Sequence, residues 1–411
     1  MLVGSLRPAV VALWLVVLTN GPLFFVSRRV FGLPGGWDDP IVQPAILLTV
    51  GTAVAFVLLD RQRLSGERLR PVARVPLAAA VSLGGWAALS TVWSLQPDIT
   101  LWRGLVYVAL PFVAWVIADL GADRFGDALG WSMGLIVATS LALVVLWPDA
   151  ALDRNDDWRG IMTGRNSFAP LAALAVFAGV AWFARGARVK GGVLVAGSLV
   201  ALLGSGSRTA WFALVIALGA ATVLTVARWR YRRSPDRWVV VAAVITVVGG
   251  AGVAVAGIGR YWNESTLVQR RTIWDLVSDH IRDDPFLGKG WEAFWHTPAL
   301  HTDELLTRGS AHGTVFELLL GVGVLGLLLW LVVAGTAVVG VGLRLWHEPD
   351  VEAWLWAAVV TFLLVENLTE SFVLWFSYNW VLLTAAALRF GIGWRRPRAV
   401  RSESPSAAVN A

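Results

Sequence analysis

Long apolar stretches separated by short polar connections recur along almost the whole chain. A membrane-crossing helix needs roughly 20 predominantly apolar residues, and a helix satisfies its backbone polar groups within the bilayer. The pattern therefore predicts an all-α polytopic membrane protein. The predicted spans, twelve in number, lie at about 9–27, 41–59, 75–94, 101–119, 126–147, 168–184, 191–207, 209–227, 238–257, 314–341, 353–367 and 371–389.

The composition agrees with this pattern. Of the 411 residues, 57% are hydrophobic and 15% are charged, a balance that excludes a soluble globular protein of this length. The first apolar stretch resembles a signal-peptide core, but it continues through "TNGPLFFV" without a small-residue cleavage site. We therefore predict a retained first helix. Cysteine is absent, which excludes disulfides and thiolate metal ligands.

Lysine and arginine are distributed unevenly among the connections. With the N-terminus placed in the cytoplasm, the inner segments hold 21 of the 34 Lys and Arg residues, and the outer segments hold 13, six of them in one long loop. Short cytoplasmic loops accumulate positive charge, so the contrast of 21 against 7 without the long loop predicts that both termini are cytoplasmic. The predicted organisation is nine spans in 1–257, a large external loop at 258–311, three spans in 312–392 and a disordered cytoplasmic tail at 393–411 that contacts anionic lipid.

This topology brings several polar side chains to the outer ends of the spans. Arginine at hydrocarbon depth is costly unless it is paired or faces water. Arg208, in the short turn "GSGSRTAWF", is therefore either an anchor at the lipid headgroups or part of an anion site, since a guanidinium matches phosphate oxygens. The same alternatives apply to Arg103. The candidates expected to converge on one external cavity are Arg103, Arg159, Arg165, Asn166, Arg208, Arg270, Arg271, His312, Glu366, Asn367 and Glu370.

The long loop has helical periodicity of its own. "TLVQ" at 266–269 fits a capping box, and Trp274, Val277 and Ile281 follow at helical spacing until Pro285, which predicts an amphipathic helix at the membrane interface. Arg270 falls on its apolar face and Arg271 on its exposed face. An ion pair with a nearby acidic residue is the alternative role for these arginines. The loop tryptophans at 262, 274, 291 and 295 either anchor the loop in the headgroups or stack on sugars.

Histidines and acidic pairs give no metal-binding pattern. Four of the five histidines, at 280, 296, 301 and 312, lie in the loop or at its end, but their spacing matches neither a helical two-histidine motif nor a zinc finger. The acidic pairs at 38–39, 156–157 and 283–284 are interpreted as solvated loop charges rather than as a divalent cation site. We therefore predict no metal and no cofactor.

Four segments together form a specific set. After His312, nine residues at 314–322 lead to Gly323 and Gly326, and "WRGIMTGRNSFAPLA" ends in a basic residue and Asn before a span. "SGSRTAWFALVIAL" opens a span, and "RRTIWDLVSDHIRDDPFLGKGWEAF" begins with Arg270. Over about residues 80–390, these segments resemble the O-antigen ligase and polymerase superfamily of bacterial membrane glycosyltransferases. Gly313 departs from the family pattern, which has Asn, Ser or Gln after the histidine.

The resemblance implies a reaction at the outer face of the bacterial inner membrane. The donor is a glycan on a polyprenyl diphosphate, and a hydroxyl of a glycan or glycolipid acceptor attacks the anomeric carbon. His312 then acts as the general base, because a neutral imidazole can accept the proton. Arg208 and Arg270, with Arg165, Arg103 and Arg271, stabilise the diphosphate. Asn166, Glu366 and Glu370 are supporting residues, membrane lipids are partners, and no nucleic acid is expected.

Three interpretations remain at this stage. A ligase moves a finished chain to a cell-surface acceptor, whereas a polymerase joins lipid-linked repeat units; the histidine motif favours the ligase. A transporter of the same lipid carrier would also use arginines, but related halves and mid-bilayer ionisable residues, which are typical of transporters, are not visible in the sequence. A purely structural subunit would leave the outer arginines unexplained.

Overall fold

We describe a computed structural model of the chain that covers residues 2–36, 39–59, 73–233, 264–300, 304, 309–368, 370–371 and 376–391. Within these ranges the chain forms helices, and its only bridge between extended segments is an isolated antiparallel one between Leu152 and Trp158. The predicted all-α class is therefore confirmed. The sequence-based span at 238–257 and the tail at 393–411 lie outside the described residues.

The first half of the bundle contains nine of the described α-helices. They are α1 Leu2–Leu18, α2 Gly21–Val30, α3 Val42–Leu59, α4 Arg74–Leu89, α5 Pro97–Ala118, α6 Ala122–Leu146, the short α7 Pro148–Ala151, α8 Arg165–Ala184 and α9 Arg188–Ser205. The second half contains α10 Arg208–Arg233, α11 Glu264–Asp283, α12 Thr314–His347, α13 Val351–Asn367 and α14 Tyr378–Phe390.

Eight of these helices are long and apolar enough to cross a membrane, or nine if the bent pair α1 and α2 counts as one span. The helices α13 and α14 coincide with predicted spans but have only 17 and 13 residues. The total of twelve spans therefore stays a prediction. Helix α8 is the most enclosed of the candidate spans, with 78% of its apolar window buried, because it packs against α6, α9 and α13 at the centre of the bundle.

The first predicted span, 9–27, is not a single helix. Helix α1 ends at Leu18, Asn20 adopts a left-handed φ of 61°, and α2 continues at an angle of 64° to the first helix. Pro22 at the start of α2 is compatible with this change of direction because the first helical turn needs no backbone N–H donor from it. The bend exposes backbone and side-chain polar groups at 19–21 to the site described below.

Helix α12 is interrupted at Gly323, which has φ 66° and ψ −167°. The segment at 285–291 fills the break: the amide of Lys289 donates to the carbonyl of Leu320 (2.7 Å), and that of Gly290 donates to the carbonyl of Gly321 (3.0 Å). A broken helix at membrane depth requires such substitutes for its lost hydrogen bonds. A Cβ at position 323 would lie 2.1 Å from the carbonyl oxygen of Phe286.

The glycines of the motif therefore accommodate a loop. Small residues in a membrane helix predict close packing of another span, here at Gly321, Gly323 and Gly326. That expectation is wrong for Gly321 and Gly323, whose nearest neighbours are Trp291 and Phe286 of the loop. At Gly326 a Cβ would meet Val322 of the same helix at 2.2 Å and Leu83 of α4 at 3.6 Å.

The two ends of the bundle differ in charge. At one end, basic residues join neighbouring helices: Arg7 pairs with Asp119 (2.9 Å), Arg185 pairs with Asp123 (2.8 Å), and Arg389 pairs with Glu352. These arginines belong to the set that the sequence places in the cytoplasm. The other end carries His312 and the outer candidates, so the structure separates the two groups as the topology requires, and the sidedness stays a prediction.

Candidate functional site

The loop at 309–313 presents His312 in a fixed conformation. His312 has a φ of 50°, a left-handed conformation that is uncommon outside glycine and costs of order 1–3 kcal/mol. Its amide donates to the Ser310 hydroxyl (3.2 Å), and the amide of Gly313 donates to the Ser371 hydroxyl (3.2 Å). Helix α12 begins immediately afterwards, so the imidazole stands at the helix entrance with its side chain 27% exposed.

Glu370 is the carboxylate that meets this imidazole. Its Oε2 lies 3.3 Å from Nδ1 of His312, and its Oε1 accepts a hydrogen bond from the guanidinium of Arg270 at 2.6 Å. Glu370 follows the end of α13, and its amide donates to the carbonyl of Glu366 (2.9 Å). The carboxylate is nearly buried, so its two charged or ionisable partners offset the cost of removing it from water.

The amphipathic helix α11 delivers Arg270. The helix covers Glu264–Asp283, as its periodicity predicted, and Arg270 is buried while Arg271 is exposed. One turn further, the indole of Trp274 donates to the carbonyl of Ala311 (2.8 Å) and its rings stack on Phe316 at 5.2 Å. Helix α11 therefore positions the arginine and the histidine loop together.

Two further motif segments reach the same carboxylate. The amide nitrogen of Asn166 lies 3.3 Å from Oε1 of Glu370, and the hydroxyl of Ser207 donates to Oδ1 of Asn166 at 3.4 Å. Asn166 is in the first turn of α8, and Ser207 immediately precedes Arg208 at the start of α10. The four motif segments of the sequence therefore meet within a few ångströms of Glu370.

The other candidate arginines differ in exposure and in their ion-pair partners. Arg208 begins α10 with an exposed side chain, and Arg165 begins α8 in an ion pair with Asp157. Arg103 forms a buried ion pair with Glu292, whereas the sequence left open only a headgroup anchor or an anion site for this residue. The arrangement brings Arg270 into contact with the His312 and Glu370 pair, and it places Arg165 and Arg208 beside Asn166 and Ser207.

Glu366 is buried one turn before Glu370. Neither of its carboxylate oxygens accepts a hydrogen bond from the residues that the structure describes. Its neighbour Asn367 does have partners: its Oδ1 accepts from the Thr314 hydroxyl (2.5 Å), and its amide nitrogen donates to Oδ1 of Asn379 (2.8 Å). These contacts join α12, α13 and α14, and thereby hold Glu370 against the histidine loop.

Glu317 supports the loop from below. Its Oε1 accepts from the amide of Ala311 (2.5 Å) and from the Ser371 hydroxyl (2.7 Å), and its Oε2 accepts from the indole of Trp295 (2.8 Å). Glu317 lies five positions after His312, which is a poor spacing for a direct contact on one helical face, and the sequence did not assign it this supporting role. A carboxylate in the first turn of a helix that follows a polar loop is the signal for this role, because it can accept the amides of that loop.

A cavity of about 210 Å³ adjoins the centre. It is smaller than the pockets of about 300 to 1,000 Å³ that enclose drug-sized ligands, so it suits a small polar group such as a sugar ring. Hydroxyls, amides and one carboxylate face it. The lining residues are Leu18, Thr19, Asn20, Gly21, Phe24, Met162, Thr163, Ser167, Ser310, Glu370, Ser371, Ser377 and Tyr378.

The loop tryptophans pack within the protein. Trp291 is fully buried, and Trp274 and Trp295 donate their indole hydrogens to Ala311 and Glu317. Burial therefore excludes a headgroup anchor at Trp291 only; for the half-buried Trp274 and Trp295 the anchoring interpretation stays a prediction, and Trp262 lies outside the described residues. Over the described ranges, no three His, Asp or Glu side chains are grouped as metal ligands would be.

Comparison with known proteins agrees with the motif assignment. A family profile described as O-antigen ligase matches residues 192–331, a range that contains Arg208, Arg270 and His312. The chain is also similar to the exopolysaccharide production protein ExoQ of Rhizobium meliloti (strain 1021), with 25% identity over 352 residues that cover 80% of this chain and 78% of the relative. These two similarities, together with the apolar helices and the four motif segments gathered at one end, support the O-antigen ligase and polymerase superfamily that the sequence motifs resemble.

Proposed function

We propose that the protein is an O-antigen ligase-like glycosyltransferase. It transfers a glycan from a polyprenyl diphosphate carrier to a hydroxyl of a cell-surface acceptor, at the outer face of a bacterial inner membrane with both termini in the cytoplasm. One observation carries the proposal: the imidazole of His312 lies 3.3 Å from a nearly buried carboxylate that also binds Arg270, beside a polar cavity. That arrangement unites a base, its orienting partner and a cation.

The reaction needs one bond formed and one broken. The acceptor oxygen bonds to the anomeric carbon, the bond between that carbon and the diphosphate oxygen breaks, and polyprenyl diphosphate leaves. His312 takes the hydroxyl proton. When Nδ1 donates its hydrogen to Glu370, Nε2 is the basic nitrogen, and the carboxylate stabilises the imidazolium that forms, as in other oriented base pairs.

Arginines neutralise the charge that develops on the diphosphate. Arg208 and Arg165 each begin a helix, where free backbone N–H groups also favour anions. Arg270 adds a guanidinium next to Glu370, and Arg271 and Arg103 are the remaining candidates. Fixed cations of this kind stabilise a leaving group without a metal ion. Asn166 ties these segments to Glu370, and Glu366 supports the backbone that presents Glu370.

A polymerase that joins lipid-linked repeat units is the second candidate function. The observation that favours it is the similarity to a protein named for exopolysaccharide production. The chemistry at His312 is the same in both cases, and only the acceptor differs. A transporter function has no comparable support.

The test uses the full-length protein in proteoliposomes with a lipid-diphosphate glycan donor. We expect His312→Ala to abolish transfer while donor binding persists, because the base is lost and the cations remain. His347→Ala, at the far end of α12, is the matched control and should retain full activity. Unchanged transfer in His312→Ala would contradict the assignment of the base.

Three further measurements complete the assignment. Arg208→Lys should lose more activity than its retained charge suggests, because lysine cannot form a bidentate contact with phosphate. Full activity would identify Arg208 as a headgroup anchor.

The product identifies the acceptor: a lengthened chain still on diphosphate indicates a polymerase, and a chain on another acceptor indicates a ligase. Transfer should survive a chelator, and its collapse would reject the metal-independent reaction.

A further inference from the structure

A second group of arginines belongs to two segments that also contribute lining residues to the cavity. Gly21 and Phe24 of α2 line the cavity, and Arg28 and Arg29 follow in the next turn of the same helix. Arg159 belongs to a different segment, the loop before α8. None of these three arginines touches Glu370 or His312, and the reaction proposed above does not use them.

The contacts of both segments bring these arginines to the same wall. The guanidinium of Arg28 lies 6.0 Å from the ring centre of Phe24, and it donates to the carbonyls of Pro34 (2.8 Å) and Gly35 (3.0 Å) with two of its three nitrogens. The carbonyl of Arg159 accepts from the amide of Met162 (3.0 Å), and Met162 also lines the cavity. A Cβ at position 21 would lie 2.1 Å from the sulfur of Met162, so the two segments are in direct contact there.

The group carries an excess of positive charge. Burial, followed by the charges of Arg29 and Arg28, lowers the pKa of Arg159, although Asp153 opposes the shift. The Nε of Arg159 is buried and has no hydrogen-bond partner in the described chain. Arginine keeps its proton at any working pH, so the three cations repel one another in the absence of an anion.

The nearby carboxylates are already engaged. Asp39 accepts from the hydroxyl of Ser27 and from the amide of Gly35 (3.0 Å). Asp153 accepts from the amides of Asn155 (2.8 Å) and Asp157 (3.1 Å). Among the described residues, these two carboxylates therefore offset only part of the charge of the three guanidinium groups.

We propose that Arg28, Arg29 and Arg159 form a second anion site, which holds a phosphate group of the acceptor glycolipid while the acceptor sugar occupies the cavity. The inference rests on the proposed function, because it assigns the acceptor to arginines other than those proposed to bind the diphosphate. Guanidinium groups match phosphate oxygens in geometry, and three of them match its charge. The site selects acceptors that carry phosphate, whether on a lipid-linked repeat unit or on a phosphorylated glycolipid.

The test compares two acceptors with the same sugar, one on a diphosphate lipid and one on a neutral alkyl lipid. Full-length protein is reconstituted in zwitterionic liposomes with saturating donor. In Arg29→Gln and Arg159→Gln we expect the KM for the phosphorylated acceptor to rise about tenfold, with kcat and the donor KM unchanged. The KM for the neutral acceptor should not change.

Arg154→Gln is the matched control, because Arg154 is an exposed arginine of the same loop. It should leave both KM values at the wild-type level. Arg159→Lys should recover part of the affinity, since it keeps the charge but not the fork. Melting temperatures equal to that of the wild type establish that the glutamine variants fold.

Three results would overturn the inference. Equal changes for both acceptors would show that phosphate is not recognised. An effect that appears only when the liposomes contain phosphatidylglycerol would assign the arginines to bilayer headgroups. The same comparison can be made without turnover, by measuring how tightly each acceptor binds to His312→Ala protein. This measurement tests the anion site even if the transfer reaction itself is not observed. If His312→Ala protein binds the phosphorylated acceptor equally well with and without Arg159→Gln, the site is rejected.

Discussion

Glu370 and Glu317 are two buried carboxylates on either side of the histidine loop, and they have different kinds of partners. Glu370 contacts the His312 imidazole and the Arg270 guanidinium. Glu317 accepts only from neutral donors: a backbone amide, a hydroxyl and an indole. In the proposed reaction the first carboxylate balances charge at the imidazole, whereas the second fixes the backbone that carries His312. Residue type and burial alone therefore do not separate a chemical role from a supporting one.

The comparison of the two carboxylates predicts that substitution of Glu370 has the largest effect on activity. Glu370→Gln should lower kcat about 100- to 1,000-fold, because the imidazolium loses its compensating charge and the ring loses its orienting acceptor. Transfer rates in proteoliposomes measure the effect. Asp275→Asn on α11, an exposed acidic side chain, is the control and should be silent. A Glu370→Gln protein with wild-type kcat would remove the distinction between the two carboxylates.

The sequence predicted the helices and most of the residues at this centre because their signals are local. The length of the apolar stretches predicted the spans, and helical spacing predicted that Arg270 lies on the inner face of α11. The spacing between His312 and the glycines that follow it singled out the histidine. The choice between Glu366 and Glu370 as the partner of His312 could not be made in this way. It depends on a contact across 58 positions of the chain, and both glutamates stand near the end of the same predicted span.

The breaks in helices were also invisible in the sequence. The run around Gly323 is equally apolar whether or not the helix continues, so hydropathy predicts one uninterrupted span. The interruption is stabilised by the loop at 285–291, whose amides replace the lost hydrogen bonds, and no local pattern reveals that long-range partner. The bend at Asn20 is comparable, because its side-chain amide donates to the carbonyl of Phe376 at 2.9 Å.

The next largest effect should come from the break at Gly323 in α12, the helix that carries Glu317. Gly323→Ala should destabilise the fold by roughly 2–4 kcal/mol, because it puts a Cβ at a positive φ and into the carbonyl of Phe286. Thermal unfolding in detergent measures the change. Gly335→Ala in the same helix, where a Cβ meets nothing within 4 Å, is the control and should be neutral or slightly stabilising. Equal stability of the two variants would contradict the role of the break.

A smaller effect on stability is expected at Glu317 itself. Glu317→Gln should cost about 1–3 kcal/mol, because the new amide group faces N–H and O–H donors that it cannot accept from. Hydrogen exchange at the amide of Ala311 should accelerate, while kcat falls less than in Glu370→Gln. If Glu317→Gln instead reduced kcat as strongly as Glu370→Gln and left the exchange rate unchanged, the supporting role would be wrong.

The smallest effect concerns Ser371, the residue between the two carboxylates in the network. Its hydroxyl donates to Glu317 (2.7 Å) and accepts from the amide of Gly313 (3.2 Å), but it does not contact the imidazole. Ser371→Ala should therefore cost about 1 kcal/mol in stability and change kcat by no more than a few-fold. Because Ser371 also lines the cavity, a rise in the acceptor KM without any loss of stability would instead make this hydroxyl a contact of the acceptor sugar. The ratio of the two changes, measured in one preparation beside Ser377→Ala from the opposite wall, decides between these roles.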